Sequence, residues 1–312
     1  MTATLSAALD LGTVASRRRF DRATLTRVGF ILPVVVYTAI FFGYPLIENI
    51  ILSFQDYNIS SLYSGSAPFN GIANYTHLFT DPVFRTAAWN TVVFVAGSLV
   101  CQFAIGLALA SFFRRAFPLH GLLRSLLLIP WLLPLVVTGT VFRWMLNTSN
   151  GVLNEILRAL HLIGAPVPWL DSVHTAMIGV LICNIWIGIP FNMVILYGGL
   201  QSIPGNLYEA AALDGAGRWT QFHRITLPML RPVITVVLTL GLIYTIKVFD
   251  IIWVLTGGGP ANATQLFATY AYQLGIGTGL LSQGAAISLA IFPILLLVVI
   301  VQLLYIRRTE TL

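Results

Sequence analysis

Apolar stretches of about 20 residues or more recur along this chain, each long enough to cross the hydrocarbon core of a bilayer as a helix. They fall at about residues 28–52, 87–112, 122–146, 175–200, 232–255 and 285–306. Charge is correspondingly scarce, at 9% of residues against 57% hydrophobic, where a soluble domain carries roughly 25% charged residues. The expected fold class is therefore all-α, a polytopic membrane protein with six transmembrane helices. Pro33, Pro45, Pro130, Pro134, Pro190 and Pro293 fall inside the runs and predict kinks, because proline removes a helical hydrogen bond.

The basic residues test this count, since they accumulate on the cytoplasmic side of a membrane protein. With six spans and a cytoplasmic N-terminus, that side receives Arg17, Arg18, Arg19, Arg22, Arg27, Arg114, Arg115, Arg124, Arg218, Arg224, Arg231, Arg307 and Arg308. The outer side receives only Arg85, Arg143 and Arg158, and Lys247 lies within the fifth span. The asymmetry predicts both termini in the cytoplasm. It gives a cytoplasmic tail over residues 1–27, a transmembrane domain over 28–306 and a second tail over 307–312. The first apolar run is longer than a signal-peptide core and reads as an uncleaved helix. The net charge of +6 orients the chain in its membrane rather than marking a nucleic-acid partner.

No pattern in the chain carries catalysis or metal binding. Cys101 and Cys183 sit singly in apolar runs, and the five histidines form no HxxxH or HExxH pair. No G-x-S-x-G elbow accompanies them. A phosphate-binding G-x-x-x-x-G-K-[ST] loop is absent too, and the single lysine, Lys247, lies in YTIKVFD.

The polar interruption at residues 201–231 is the least expected part of so apolar a chain. After SIPGN it reads LYEAAAL, strong helix-forming material, then DGAG, then WTQFHRITLPMLRP. Pro204 suits a first helical turn, and Gly215 and Gly217 are expected to end the first helix before a second short one resumes. Ala210, Ala211, Ala212 and Ala216 leave one face bare, flanked by Glu209 and Asp214. Such a face lets another protein approach the backbone closely. An ordinary amphipathic loop resting on the bilayer surface is the alternative.

EAAALDGA followed by Phe222, Ile225, Leu227 and Pro228 resembles the signature loop, the EAA motif, of permeases in binding-protein-dependent ATP-binding-cassette importers. GIANYTHLFTDPVFRTAAWNTVVF before span two and FDIIWVLTGGGPANATQLFATYAY at the end of span five resemble the carbohydrate-uptake branch, of maltose and glycerol-phosphate type. The resemblance covers roughly residues 25–308. It implies a type I importer permease fold in the inner membrane of a prokaryote. It further implies a second, homologous permease, an ATPase dimer holding ATP and Mg, and an extracytoplasmic solute-binding protein, with no cofactor on this chain. By the same resemblance Glu209, Ala210, Ala211, Asp214, Gly215 and Ala216 form the ATPase-coupling element.

Polar groups at membrane depth suggest a solute path. Lys247 and Asp250 lie three apart on the expected fifth helix, where they could pair with each other or face solute. Asn184, Gly188 and Asn192 recur every four residues on span four, where asparagine serves either as helix-to-helix glue or as a solute contact. Trp186 and Trp253 are possible flat platforms for a sugar. Glu48 lies near the outer end of span one and could simply reach water. GGGPANAT after span five reads as an outer loop, flexible at its glycines, that contacts a partner or merely turns. An ion-coupled secondary transporter is the rival reading; it accounts for Lys247 and Asp250 but leaves the EAAALDGA loop without a role.

Overall fold

The computed structural model describes residues 22–115 and 117–310. The N-terminal basic residues Arg17, Arg18 and Arg19 lie outside them, as does the end of the expected C-terminal tail. The described residues are helical, with one isolated antiparallel bridge between Gln55 and Phe69. The chain divides into two units, Met1–Asn49 and Ile50–Leu312.

The first unit holds α1 (Arg22–Thr38), a π-helical turn (Ala39–Gly43) and the start of α2 (Tyr44–Ser53). Together they supply an apolar span, Val28–Ser53. The π turn precedes Pro45, whose missing N–H cannot reach the carbonyl of Phe41, and the backbone takes up the defect by widening.

The second unit continues through α3 (Ile59–Ser64), α4 (Ala73–Thr80) and the long α5 (Pro82–Phe113). Sequence placed the second span from 87. The helix starts five residues earlier because Asp81 caps it, its carboxylate accepting the Val83 N–H at 2.8 Å, with Pro82 in the first turn.

The third expected span, 122–146, is not one helix. It comprises α6 (His120–Leu126), α7 (Ile129–Leu132) and α8 (Leu135–Met145), with a bend of 97° between His120–Leu132 and Leu135–Met145. The cause is Pro134, which holds Leu133 in an extended conformation (φ −76°, ψ 143°). The described residues thus hold five continuous apolar spans, or six if this bent pair counts as one.

Next come α9 (Val152–Ala159), α10 (Ala176–Gln201), α11 (Gly205–Leu213) and α12 (Arg218–Gln221). A π turn, Phe222–Thr226, joins α12 to α13 (Leu227–Ile246). The second helix of the polar loop therefore runs without a break into the fifth span, Arg218–Ile246.

That span stops at Ile246, not near 255 as the apolar run predicted. Residues 247–249 are non-helical and α14 (Asp250–Leu255) begins afresh. The β-branched Thr245, Ile246 and Val248 weaken the helix here, and Asp250 sits in the first turn of the next one, where a negative charge is favourable. Finally α15 (Phe267–Tyr272), a π turn (Gln273–Gly277), α16 (Leu281–Ala290) and α17 (Phe292–Glu310) complete the chain. The sixth span starts at Leu281 and is interrupted just before Pro293.

The core of this unit is built on α5 against α10, its most extensive helix pair. Close approach is set by glycine. A Cβ at Gly188 would come within 2.2 Å of the Gln102 side chain, and one at Gly106 within 2.6 Å of the Asn192 Cβ. Small residues at the crossing are the usual means of bringing membrane helices together.

Candidate functional site: a broken-helix cavity and an exposed helical turn

Two interruptions of helical structure and the Pro190 region of the unbroken α10 meet in one place. A cavity of about 460 Å³ is lined by residues of the α7–α8 bend, of α10 on either side of Pro190, and of the break at 247–249. That volume falls within the range of small-ligand sites. Its aromatic wall comprises Trp131, Phe191, Tyr244 and Phe249, with Trp131 and Tyr244 each packed on Phe191 at ring-centroid distances of 5.8 and 6.0 Å. Its polar groups are Gln102, Asn184, Thr245, Lys247 and Asp250.

Lys247 and Asp250 both line this cavity, but they do not share a helix face and form no ion pair with each other. They stand on opposite sides of the helix break, and the only ion pair among the described residues joins Arg158 to Glu155 at 3.9 Å. The Lys247 ammonium instead lies 5.1 Å from the Tyr244 ring centroid, a cation–π arrangement.

The span-four residues split. Asn184 is buried, and its amide donates to Ser98 Oγ at 2.8 Å while its carbonyl accepts from Gln102 Nε2 at 2.9 Å. Gly188 packs against Gln102, and both Asn184 and Gly188 reach the cavity wall. Asn192 is buried, donates to the Gly188 carbonyl at 2.9 Å and lies off the cavity. This face therefore joins α10 to α5 while its edge borders the cavity.

Trp253 lies off the cavity wall. It stacks on Phe249 at 5.5 Å and meets Tyr272 edge-on at 4.8 Å. Trp186 packs on Phe142 at 5.2 Å.

Sequence reasoning missed Gln102, Trp131, Phe191 and Tyr244. Gln102 carried a readable signal, a large amide in the middle of an apolar run. The aromatic residues did not, because their shared position depends on the two helix breaks.

The expected loose glycine segment after span five is instead anchored. Asn90 Nδ2 donates to the carbonyls of Asn262, Ala263 and Gln265 at 3.1, 3.1 and 3.2 Å. Thr264 and Gln265 are fully buried, and Thr264 Oγ1 donates to the Gly259 carbonyl at 2.7 Å. Nearby, the Tyr270 hydroxyl donates to Asp81. Burial, reinforced by this hydrogen bond, pushes the Tyr270 phenol well above its ordinary range, so it stays a donor.

Far along α5, past its C-terminal end, α11 presents the EAA residues. Glu209, Ala210 and Asp214 are exposed, and Ala211 and Ala216 are half-buried. The helix ends in a Schellman turn. Gly215 takes φ +79°, its N–H donates to Ala212 O at 3.1 Å, and Ala216 N–H donates to Ala211 O at 2.8 Å. Gln221 Nε2 then donates to the Ala216 carbonyl at 3.0 Å, and Tyr208 OH and Thr226 Oγ1 share a hydrogen bond at 3.0 Å. Leu213 and Trp219 remain 90% and 74% exposed on either side of the turn, and Glu209 has no hydrogen-bond partner among the described residues. Leu213 and Trp219 thus form exposed apolar surface beside the turn.

Residues 102–311, which include both the cavity break and this turn, match the family model described as the inner membrane component of binding-protein-dependent transport systems. The chain belongs to this family. It is the membrane permease of an ATP-binding-cassette importer, and the rival ion-coupled reading falls away.

Two relatives illustrate the likeness. The sulfoquinovosyl glycerol transport system permease protein SmoG of Agrobacterium fabrum (strain C58 / ATCC 33970) is 34% identical, over 97% of this chain and 94% of that one. The trehalose/maltose transport system permease protein MalF of Thermococcus litoralis (strain ATCC 51850 / DSM 5473 / JCM 8560 / NS-C) is 35% identical, over 93% and 96%. A crystal structure of a bacterial importer of the acidic polysaccharide alginate shares the fold, with a TM-score of 0.77 over 92% of this chain and 96% of that one, at 24% identity. The permease works with a solute-binding protein and an ATPase subunit, and ATP hydrolysis belongs to the latter.

Proposed function

We propose that this permease forms half of a transmembrane pathway for a sugar or a related polyol or glycerol-phosphate solute, and that the 460 Å³ cavity lies on that pathway. The observation that carries the reading is the cavity's composition. Flat aromatic faces at Trp131, Phe191 and Tyr244 suit the apolar faces of a sugar ring, and Gln102 and Asp250 offer a hydrogen-bond donor and acceptors for its hydroxyls. The sugar transport named for SmoG and MalF supports the same class. Asn184, Gly188, Lys247 and Asp250 then belong to the pathway wall, while Asn192 and Trp253 support it from behind.

In the same proposal the turn from Glu209 to Ala216 docks into one ATPase subunit, which holds ATP and Mg, and a second homologous permease completes the pathway. The membrane domain spans 28–306 with the 201–231 loop on its cytoplasmic side. Both termini are cytoplasmic, supported by the arginine asymmetry.

The test is transport by the complex reconstituted with its ATPase and binding protein. Tyr244→Leu and Gln102→Leu should slow ATP-driven uptake of the binding protein's sugar while leaving ATPase retention unchanged. Normal uptake by both variants would remove the cavity from the pathway.

A further inference from the structure

A second cavity, of about 360 Å³, opens where the C-terminal end of α5 meets α11 and α12. Its chemistry differs from that of the first. Arg114 and Arg115 reach it from just past α5, and Arg218 from the start of α12. Ser111, Gln221 and the hydrogen-bonded pair Tyr208–Thr226 supply neutral polar groups around them. No carboxylate lines it, and none of the three arginines has an ion-pair partner among the described residues. Arg114 is held in place, its guanidinium 4.5 Å from the Tyr208 ring centroid. Three like charges around one concavity repel one another and focus a positive potential into it. A bound anion removes that cost, and the planar donor fork of arginine matches phosphate oxygens best.

We propose that this cavity is an anion site for a phosphate group, and that in the membrane the phosphate is the headgroup of an anionic lipid. The cavity lies at the ends of membrane-crossing helices, at headgroup level, where basic pockets between helices take anionic lipid. Arg224 and Arg231, in the helical run that leads from α12 into the fifth span, add positive charge at the same end of the chain. The bound phosphate bridges the end of α5 to the start of α12. It thereby fixes α11, the docking helix of the proposed function, relative to the helix that packs against the solute cavity. The lipid site itself stands whether or not α11 is the docking element.

Native mass spectrometry of the purified full-length permease tests this directly. The protein in mild detergent is offered phosphatidylglycerol and phosphatidylcholine in equal amounts, and retained lipid is counted. Wild type should retain phosphatidylglycerol preferentially. Arg114→Gln combined with Arg218→Gln should weaken retention roughly 30-fold, as expected for two arginines beside an anionic headgroup. Arg224→Gln, outside the cavity wall, should keep the preference. Ser111→Trp fills the cavity without touching the charges and should cause the same loss, which guards against a misfolded double variant. Millimolar inorganic phosphate added to wild type separates the sources: displacement of the lipid assigns a free anion, and no displacement assigns the lipid headgroup. Equal retention of the two lipids by wild type overturns the proposal. So does an unchanged preference in both the double variant and Ser111→Trp. Loss of ATPase retention with unchanged lipid binding would assign the arginines to a partner protein's carboxylates and overturn it equally.

Discussion

Gly215 allows a test of the proposed docking turn because its surroundings within this chain are empty. A Cβ built there meets no atom within 4 Å, yet φ is +79°. Within this chain any effect of substitution therefore comes from the backbone and not from a clash. The Asn variant, larger than Ala yet tolerant of positive φ, separates backbone strain from a clash with the docked partner. An L-residue held in the left-handed region costs about 1–2 kcal/mol, more if β-branched, whereas asparagine tolerates it better. At 1.36 kcal/mol per decade, that cost lowers the population of the intact turn roughly 5- to 30-fold for Gly215→Ala. Gly215→Val should lie at or beyond the upper end. The loss propagates, since the Ala216 N–H to Ala211 carbonyl bond and the Gln221 bond to Ala216 both depend on the turn. Affinity of the reconstituted permease for its ATPase, measured by titration in nanodiscs, should fall in the order Gly, Asn, Ala, Val, with membrane insertion unchanged. If Gly215→Val binds the ATPase as tightly as wild type, or if Asn is as damaging as Val, the turn does not set the docking geometry.

Asn90→Ala removes a side chain that serves three carbonyls, and losing such part-buried bonds costs about 0.5–1.5 kcal/mol; a lowered melting temperature in detergent checks this, and an unchanged one means the 256–266 segment holds itself. Gly188→Ala should destabilise by about 1–3 kcal/mol through overpacking on Gln102, and adding Gln102→Ala should recover part of it. Tyr270→Phe should flatten the alkaline stability profile: the raised folded value means wild type holds this stabilisation below the ordinary phenol pKa and loses it as pH rises through the folded value. A single cysteine at Ser64, the exposed end of α3, should react with an impermeant label from outside, whereas one at exposed Thr220 should not; the reverse would invert the topology.

What could be read from sequence was what periodicity and local chemistry control. The runs at 28–52 and 175–200 match the apolar spans Val28–Ser53 and Ala176–Gln201 closely, because a long apolar run has one outcome in a bilayer even with Pro33, Pro45 or Pro190 inside it. Near Pro45 the helix widens into a π turn and does not stop. The turn at Gly215 was legible because a positive φ names its residue. The break at Lys247–Phe249 was not, since no proline or glycine marks it and a hydropathy window sees only continuous grease from 232 to 255. That error carried the expectation that Lys247 and Asp250 share one helix face. Asn90 went unnoticed for a related reason. Its three partners lie some 170 residues away, and nothing near it in sequence announces them.

The positions of the breaks are themselves informative. An interrupted helix leaves backbone carbonyls and N–H groups without partners, which is costly against lipid and tolerable only inside protein or beside a wet cavity. In this permease the Pro134 bend, the Pro190 region of α10 and the 247–249 break all border the same 460 Å³ space. On the proposed pathway the bend and the break decide where the polar side chains of the wall, Gln102, Asn184, Thr245, Lys247 and Asp250, stand relative to the solute. Repairing a break should then damage transport more than stability. Pro134→Ala gives back an N–H and lets Leu133 return to helical geometry, so the chain should gain helix and keep its melting temperature. Uptake should fall nonetheless as the bend relaxes and the cavity wall at Trp131 and Leu135 shifts. A Pro134→Ala permease with more helix and undiminished uptake would show that the bend is incidental to the pathway.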